Sequence, residues 1–145
     1  MNKCERAVGL WLALAGLAGT AGFAQAAGQT KKTVRHGVYT LRQAKSGGAV
    51  YGEKCSSCHL DSLEGGASES PALKGDDFLS HWNDKPLREL YSRIVSTMPA
   101  NDPGTLSEKE TLDIVAYILQ KNGFPAGTKA LQSADELSKI QFPQK

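Results

Sequence analysis

Residues 55–59 read CSSCH, and this segment constrains the fold more than any other part of the 145-residue chain. Two thiols three positions apart can react with the two vinyl groups of one haem and form two thioethers, so the C-x-x-C-H spacing is typical of c-type haem attachment. The histidine that follows, His59, can then lie under the iron as its proximal ligand. The spacing therefore predicts a chain that folds around a large covalently bound group.

Two other uses of a C-x-x-C pair have to be weighed against haem attachment. A thioredoxin-like redox pair follows a strand within a βαβ unit, whereas no strand pattern precedes Tyr51. A zinc site needs further ligands, and beyond residue 26 only His36, His59 and His81 could complete one, none of them at a zinc-finger spacing. With three cysteines in the whole chain, a four-cysteine zinc site is impossible. The motif favours haem c.

The N-terminal segment has the pattern of an export signal. Basic residues precede an uncharged run over 7–24, and the run ends in the small-x-small sequence of residues 24–26. We expect cleavage after Ala26 rather than retention as a membrane anchor, because a run so rich in Ala and Gly is only weakly hydrophobic. Cleavage would remove Cys4 and Met1 and leave two cysteines and one methionine. The predicted location is the periplasm, an oxidising compartment, with no stable membrane insertion.

The composition describes one soluble globular domain. Hydrophobic residues make up 40% of the chain, charged residues 22%, and the net charge is +2. These values exclude a disordered chain, a collagen-like chain and a strongly basic nucleic-acid binder. Residues 31–45 are basic and residues 53–84 mostly acidic, which indicates either two faces of opposite sign or only a solvated surface. The expected segments are a signal peptide over 1–26, a flexible leader over 27–38, a helical domain over 39–125 and a packed tail over 126–145.

Three helices are predicted from apolar periodicity and end signals. The first covers residues 41–55, and two glycines in its middle indicate the close approach of another backbone. The second begins near Pro86, because proline is tolerated in a first helical turn. The third begins at Ser107, which forms a capping box with Glu110, and ends at Gly123. A short amphipathic turn in the tail, introduced by Ser-x-x-Glu, is expected to dock on the body through three apolar residues: Leu137, Ile140 and Phe142.

The segment between the first two helices, residues 60–85, shows no period-two pattern and is expected to be irregular. So long a loop is uncommon in a compact domain without a reason. A haem that the loop wraps would supply that reason. The apolar residues expected to line its pocket, or simply the core, are Leu63, Leu73, Phe78, Leu87, Tyr91, Ile94 and Ile118.

Met98 is the residue that we expect to fill the sixth position of the iron. It is the one thioether after Ala26, and it stands in a Thr-Met-Pro sequence just beyond the second helix. A lone methionine is usually a core residue, but Met/His ligation is well known in cytochromes c. His36, His81 or an open site are the alternatives. His36 lies in the leader, and His81 is expected at the surface or beside the ligands.

Residues 39–124 resemble a class I c-type cytochrome, which is an all-α fold of three main helices and short turns around one covalently bound haem. In that family a glycine and an aromatic residue stand eight and four positions before the motif, as Gly47 and Tyr51 do here. The resemblance implies that these two pack against the last helix, at Ile114 and Tyr117.

The resemblance also implies a set of residues for the haem. Cys55 and Cys58 would hold it covalently, His59 and Met98 would bind its iron, and the carbonyl of Pro71 would accept a hydrogen bond from the proximal imidazole. Other segments are similar to the cytochrome domains associated with periplasmic quinoprotein alcohol dehydrogenases: residues 37–40, 78–79, 97–99 and 122–127.

The function implied by this resemblance is single-electron transfer, not catalysis. We expect electrons to arrive from a periplasmic dehydrogenase, with a quinoprotein as the candidate, and to leave to an oxidase or another respiratory component. No nucleic-acid partner is expected. The alternatives are a haem enzyme or ligand sensor with a labile sixth ligand, and a subunit that transfers electrons only within a dehydrogenase complex.

Overall fold

The computed structural model describes residues 31–66 and 69–144, and these residues are mainly helical. The predicted signal peptide and the first residues of the predicted leader lie outside the described residues. The helices are α1 (Leu41–Lys54), α2 (Ser56–His59), α3 (Gly75–Trp82), α4 (Leu87–Thr97) and α5 (Glu108–Lys121), with 3₁₀ turns at Val34–His36 and Glu136–Lys139 and short strands β1 (Lys32–Thr33) and β2 (Ile140–Gln141).

The three predicted helices are confirmed as α1, α4 and α5. Pro86 is the N-cap of α4 rather than its first residue. Ser107 caps α5 as predicted: its hydroxyl accepts a hydrogen bond from the amide of Glu110, whose carboxylate accepts from the amide of Ser107. Such reciprocal bonds satisfy amide groups that an isolated helix end leaves without partners.

Helices α1 and α5 cross in close backbone contact. A β-carbon at Gly47 would collide with the carbonyl oxygen of Asp113, and one at Gly48 would lie 3.0 Å from the ring of Tyr117. The rings of Tyr51 and Tyr117 pack at 5.2 Å between centroids. The close backbone approach that the glycines predicted is therefore present, and it fixes the end of α1 that carries the motif.

Helix α3 corrects the expectation of an irregular segment over residues 60–85. Asp76 and Asp77 lie in its first turn, where negative charge interacts favourably with the helix dipole. Phe78 and Trp82, one turn apart, are both buried. Only two turns of periodicity are present, which is too little for a pattern to be recognised against the glycines and serines around it.

The C-terminal tail packs against the helices through its apolar side chains. The amide of Glu136 donates to the Ser133 hydroxyl at 3.4 Å and opens the final 3₁₀ turn. Leu137, Ile140 and Phe142 are buried.

A buried glutamine also holds the tail. The side chain of Gln43 on α1 bonds both to the carbonyl and to the amide of Leu131, at 3.0 and 2.9 Å. Because both polar ends of this side chain are satisfied, its burial is tolerated and the tail is held against α1.

The segment before α1 is packed rather than loose, which corrects part of the leader expected over residues 27–38. From Lys32 onward it pairs in parallel with β2, with Lys32 opposite Ile140. Val34 is completely buried and Val38 nearly so. Apolar side chains that gain burial stabilise such a segment, but a strand partner more than a hundred residues away leaves no local sequence signal.

None of the helices within residues 31–66 and 69–144 is long and apolar enough to cross a bilayer.

Candidate haem-binding site

The C-x-x-C-H motif folds as a single turn that follows α1 directly. The amide of Cys55 donates to the Tyr51 carbonyl, and the amides of Cys58 and His59 both donate to the Cys55 carbonyl, at 3.2 and 3.0 Å. Neither of these cysteines forms a disulfide with a described residue; Cys55 is half-buried and Cys58 is exposed. The turn thus places one cysteine at the edge of the core and the other at the surface.

The two thiols differ in their surroundings. Burial raises the pKa of the Cys55 thiol to about 11, and the neighbouring Lys54 only partly opposes this effect. Because this pKa lies well above physiological pH, the Cys55 side chain is a neutral thiol there, and little of the thiolate, the form that reacts in oxidation, is present.

His59 is buried, with 6% of its surface exposed. Its Nδ1 lies 2.9 Å from the carbonyl oxygen of Pro71. A carbonyl only accepts hydrogen bonds, so the proton of a neutral imidazole lies on Nδ1 and the lone pair lies on Nε2. Nε2 has no hydrogen-bond partner in the part of the chain that the structure describes. This arrangement is the one in which a histidine binds a metal while its other nitrogen fixes the ring.

The loop that carries Pro71 returns to the motif through backbone hydrogen bonds. The amide of Gly65 donates to the His59 carbonyl at 3.2 Å, and the amide of Gly66 donates to the Ser70 carbonyl at 2.9 Å. Gly65 has φ +69°, and a β-carbon there would lie 2.7 Å from the Pro71 oxygen. Sequence reasoning missed this glycine, although its neighbour Gly66 makes a Gly-Gly pair, which is a common turn signal.

Asn122 holds the next part of the same loop and was not singled out from the sequence. Its amide nitrogen donates to the Leu73 carbonyl at 2.9 Å, and its amide oxygen accepts from the Gly75 amide at 3.1 Å. The side chain thereby links the C-terminus of α5 to the start of α3. The one sequence signal for Asn122 is its place within residues 122–127, a segment that resembles quinoprotein-associated cytochrome domains.

Met98 is the C-cap of α4, where its amide donates to the Ile94 carbonyl at 2.9 Å. Its side chain is half-buried and packs against the apolar core.

Of the residues expected to line the pocket, Leu73 is half-buried; the others are buried in the core: Leu63, Phe78, Leu87, Tyr91, Ile94 and Ile118.

The two alternative iron ligands, His36 and His81, are exposed, unlike His59 and Met98. His36 is exposed, and its Nδ1 is engaged with Thr33 in a capping box at the first 3₁₀ turn. His81 is exposed and stacks edge-on against Trp82 at 5.0 Å. No group of three or more His, Cys, Asp or Glu side chains in the described ranges could hold a metal ion.

The donor chemistry fits a covalently bound haem. Two cysteine side chains lie within one helical turn, a buried imidazole has the lone pair of Nε2 available, and a thioether packs at the edge of the apolar core. Together with the helical fold, these features define a class I c-type cytochrome, whose cofactor is haem c with its iron.

The family comparison agrees. The family described as cytochrome c oxidase, cbb3-type, subunit III matches residues 42–118, which is more than half of the chain, so the chain belongs to this family. A comparison with curated proteins gave no match.

Among solved structures, a chain of the sulfane dehydrogenase SoxCD from Paracoccus pantotrophus has a similar fold, with a TM-score of 0.52 and 22% sequence identity. The match covers 76% of this chain and 63% of that chain. At this identity the similarity concerns the fold.

Proposed function

We propose that this protein is a periplasmic electron carrier that exchanges one electron at a time through a single haem c. The observation that supports the proposal is the hydrogen bond between His59 Nδ1 and the Pro71 carbonyl, which leaves the lone pair of Nε2 available to bind an iron. When bound, the haem supplies an iron that alternates between the ferric and ferrous states.

The residues of the chain have separate roles in this proposal. Cys55 and Cys58 would hold the haem through thioethers, and His59 and Met98 would bind its iron. Pro71 fixes the plane of the His59 ring and increases the basicity of its free nitrogen. With both His59 and Met98 bound to the iron, oxygen and peroxide would have no easy access to the metal, which disfavours an enzyme or a ligand sensor.

The soft thioether of Met98 favours the ferrous state and so raises the reduction potential. The half-buried position of this side chain against the core would limit its exchange with solvent and so supports its proposed role as a ligand. The apolar residues around the proposed site would also restrict the access of water to the iron, and solvent access is a second influence on the reduction potential.

A dehydrogenase is the proposed electron donor, and an oxidase or another respiratory component is the proposed acceptor. The same fold occurs in a chain of the sulfane dehydrogenase SoxCD, and the sequence resembles domains associated with quinoprotein alcohol dehydrogenases. Both similarities motivate a test with dehydrogenases. Contacts with such partners are expected to be small and transient, as electron-transfer encounters generally are.

The test uses the protein produced from the full sequence and isolated after export. We expect a pyridine haemochrome spectrum of haem c at one haem per chain, a one-electron Nernstian titration, and no rapid binding of carbon monoxide by the reduced form. N-terminal sequencing should begin at residue 27. Rapid carbon monoxide binding at neutral pH would instead support a sensor or an enzyme.

Covalent attachment is tested by a matched pair of variants. Cys58→Ala removes one thioether and should give little mature holoprotein. Ser57→Ala, at the exposed position between the two cysteines, should give a normal yield. Equal yields of haem-containing protein from both variants would contradict attachment through this motif.

A further inference from the structure

Two stretches of the chain contain no carboxylate side chain. Residues 53–113 hold twelve Asp and Glu residues and six Lys and Arg residues. Residues 31–52 and 114–134, on either side of them, hold no Asp or Glu, and their charged side chains are all basic: Lys31, Lys32, Arg35, Arg42, Lys45, Lys121 and Lys129. Charge is therefore segregated along the chain.

The fold brings the two basic stretches together. The Gly127 amide donates to the Tyr39 carbonyl at 2.6 Å, just before the start of α1. Further along α1, a β-carbon at Gly48 would lie 3.0 Å from the ring of Tyr117 on α5. The Lys121 ammonium lies 5.3 Å from the centroid of that same ring. The N-terminal half of α1, the C-terminus of α5 and the segment after it thus form one region of the surface.

Most of the basic side chains in this region have no ionic partner. Lys32 pairs with Glu136 at 3.8 Å. The other six are exposed and form no salt bridge within residues 31–66 and 69–144. We use the name basic face for the following residues: Leu41, Arg42, Lys45, Lys121 and Lys129.

The charges at the start of α1 are not explained by the stability of the helix. Helices α3, α4 and α5 each carry Asp or Glu in the first turn, where negative charge interacts favourably with the helix dipole. The first turn of α1 has no acidic residue; it contains Arg42, and Lys45 follows directly. Positive charge is unfavourable at this end of a helix. The placement of these two cations therefore needs another reason.

An exposed leucine lies among these cations. Leu41, the first residue of α1, is 64% exposed. It precedes Arg42 and shares a helix face with Lys45, four positions later. The fourteen residues of α1 separate it by about 20 Å from the haem-attachment turn at the other end of the helix. No residue of the basic face is a proposed haem ligand or an expected pocket residue, so its exposure does not depend on the haem.

We propose that the basic face binds reversibly to the anionic phospholipid surface of a membrane, with Leu41 entering the headgroup region. Unpaired Lys and Arg side chains attract anionic headgroups, and an apolar side chain among them adds contact with the acyl boundary. The cations are spread over two helix ends and the segment after α5. This spread favours an extended charged surface over a single small anion. The binding is peripheral and does not depend on electron transfer.

The experiment is co-sedimentation of the holoprotein with lipid vesicles, with the bound protein measured on a gel. One set of vesicles is phosphatidylcholine alone, and the other is equal parts phosphatidylcholine and phosphatidylglycerol. We expect binding to the anionic vesicles, weakened by salt, and no measurable binding to the zwitterionic ones. Soluble polyglutamate represents an acidic protein. Binding to polyglutamate without binding to the anionic vesicles would overturn the proposal in favour of such a partner.

A matched pair of double variants tests the location of the site. Arg42→Gln/Lys45→Gln should weaken binding to the anionic vesicles about tenfold. Its denaturation midpoint should be equal to or higher than that of the wild type, because positive charge is removed from a helix N-terminus. Lys85→Gln/Arg93→Gln removes the same charge from two positions without salt bridges among the described residues, and it should bind nearly as the wild type does.

The leucine is tested separately. Leu41→Ala should weaken binding to the anionic vesicles several-fold, and Leu41→Ile, which keeps the apolar volume, should bind as the wild type does. Equal binding of Leu41→Ala and wild type would refute the insertion of this side chain.

The remaining outcomes separate this inference from the proposed function. Equal binding to the two kinds of vesicle, or equal losses in the two double variants, would refute the basic face as a membrane site and leave electron transfer intact. A protein that binds the anionic vesicles as expected but lacks a haem c spectrum would support this inference and overturn the proposed function.

Discussion

The Nδ1 of His59 lies 2.9 Å from the carbonyl oxygen of Pro71, across a loop that starts and ends beside the C-x-x-C-H turn. This bond joins two residues twelve positions apart, and it leaves Nε2 as the imidazole nitrogen without a proton. In the proposed site, the geometry of the loop between them would act on the iron through the orientation and basicity of this ring.

Displacing the Pro71 carbonyl should change the reduction potential. A β-carbon in Gly65→Ala would crowd the Ser70 and Pro71 carbonyl oxygens, and Gly65 also has positive φ. Gly66→Ala is the control, because Gly66 has φ +99° but no atom within 4 Å of an added β-carbon. We expect both variants to lose stability through backbone strain, and only Gly65→Ala to shift the midpoint potential measured by spectroelectrochemistry. Equal potentials in the two variants would contradict the proposed role of the bond.

The crossing of α1 and α5 should tolerate no side chain at Gly47. Gly47→Ala would force a methyl group into the Asp113 carbonyl, and overpacking of this kind should lower the free energy of unfolding by about 3 kcal/mol. Gly52→Ala on the same helix meets nothing within 4 Å and should raise it by about 0.5–1 kcal/mol. Chemical denaturation of the two variants measures both changes, which should have opposite signs.

The Glu110 carboxylate makes the free energy of unfolding depend on pH in the acid range. Hydrogen bonds from the Ser107 amide and hydroxyl, together with Lys54, lower the pKa of this carboxyl from 4.5 to about 2. Because the folded-state pKa is lower than the ordinary value, the contribution is present above pH 4.5 and is lost as the pH falls toward 2. Glu110→Gln should therefore lower the unfolding free energy at pH 7 by about 1 kcal/mol, a value reduced for solvent screening.

The control for this prediction is Glu89→Gln. Glu89 is exposed in the first turn of α4 and forms no salt bridge among the described residues. Denaturation at several pH values should show the gap between wild type and Glu110→Gln closing as the pH approaches 2. A gap that stayed constant with pH would show that the carboxylate charge is not responsible.

Sequence reasoning predicted the parts of the fold that depend on local patterns. The helix around Gly47 was visible from spacing, and the capping box of Ser107 and Glu110 from a four-residue signature. The Pro71 hydrogen bond was implied by family resemblance, because its two residues are not locally related. The ligand assignments of His59 and Met98 remain predictions.

The features that were missed depend on contacts between distant segments. The pairing of Lys32 with Ile140, the bonds from Gln43 to Leu131, and the link from Asn122 to the loop all join residues far apart in sequence. No local periodicity reports such contacts. Helix α3 was missed for a different reason, since its two turns are shorter than the window over which a helical period is recognised.

Binding of the iron by Met98 is the central claim, and the optical spectrum of the ferric holoprotein tests it most directly. A thioether bound to ferric haem gives a weak far-red absorption band. The account predicts this band in the wild type and its loss in Met98→Ala, which should keep its haem, bind carbon monoxide when reduced and have a lower potential. A wild type without the band, or a Met98→Ala variant with an unchanged spectrum and potential, would contradict the account.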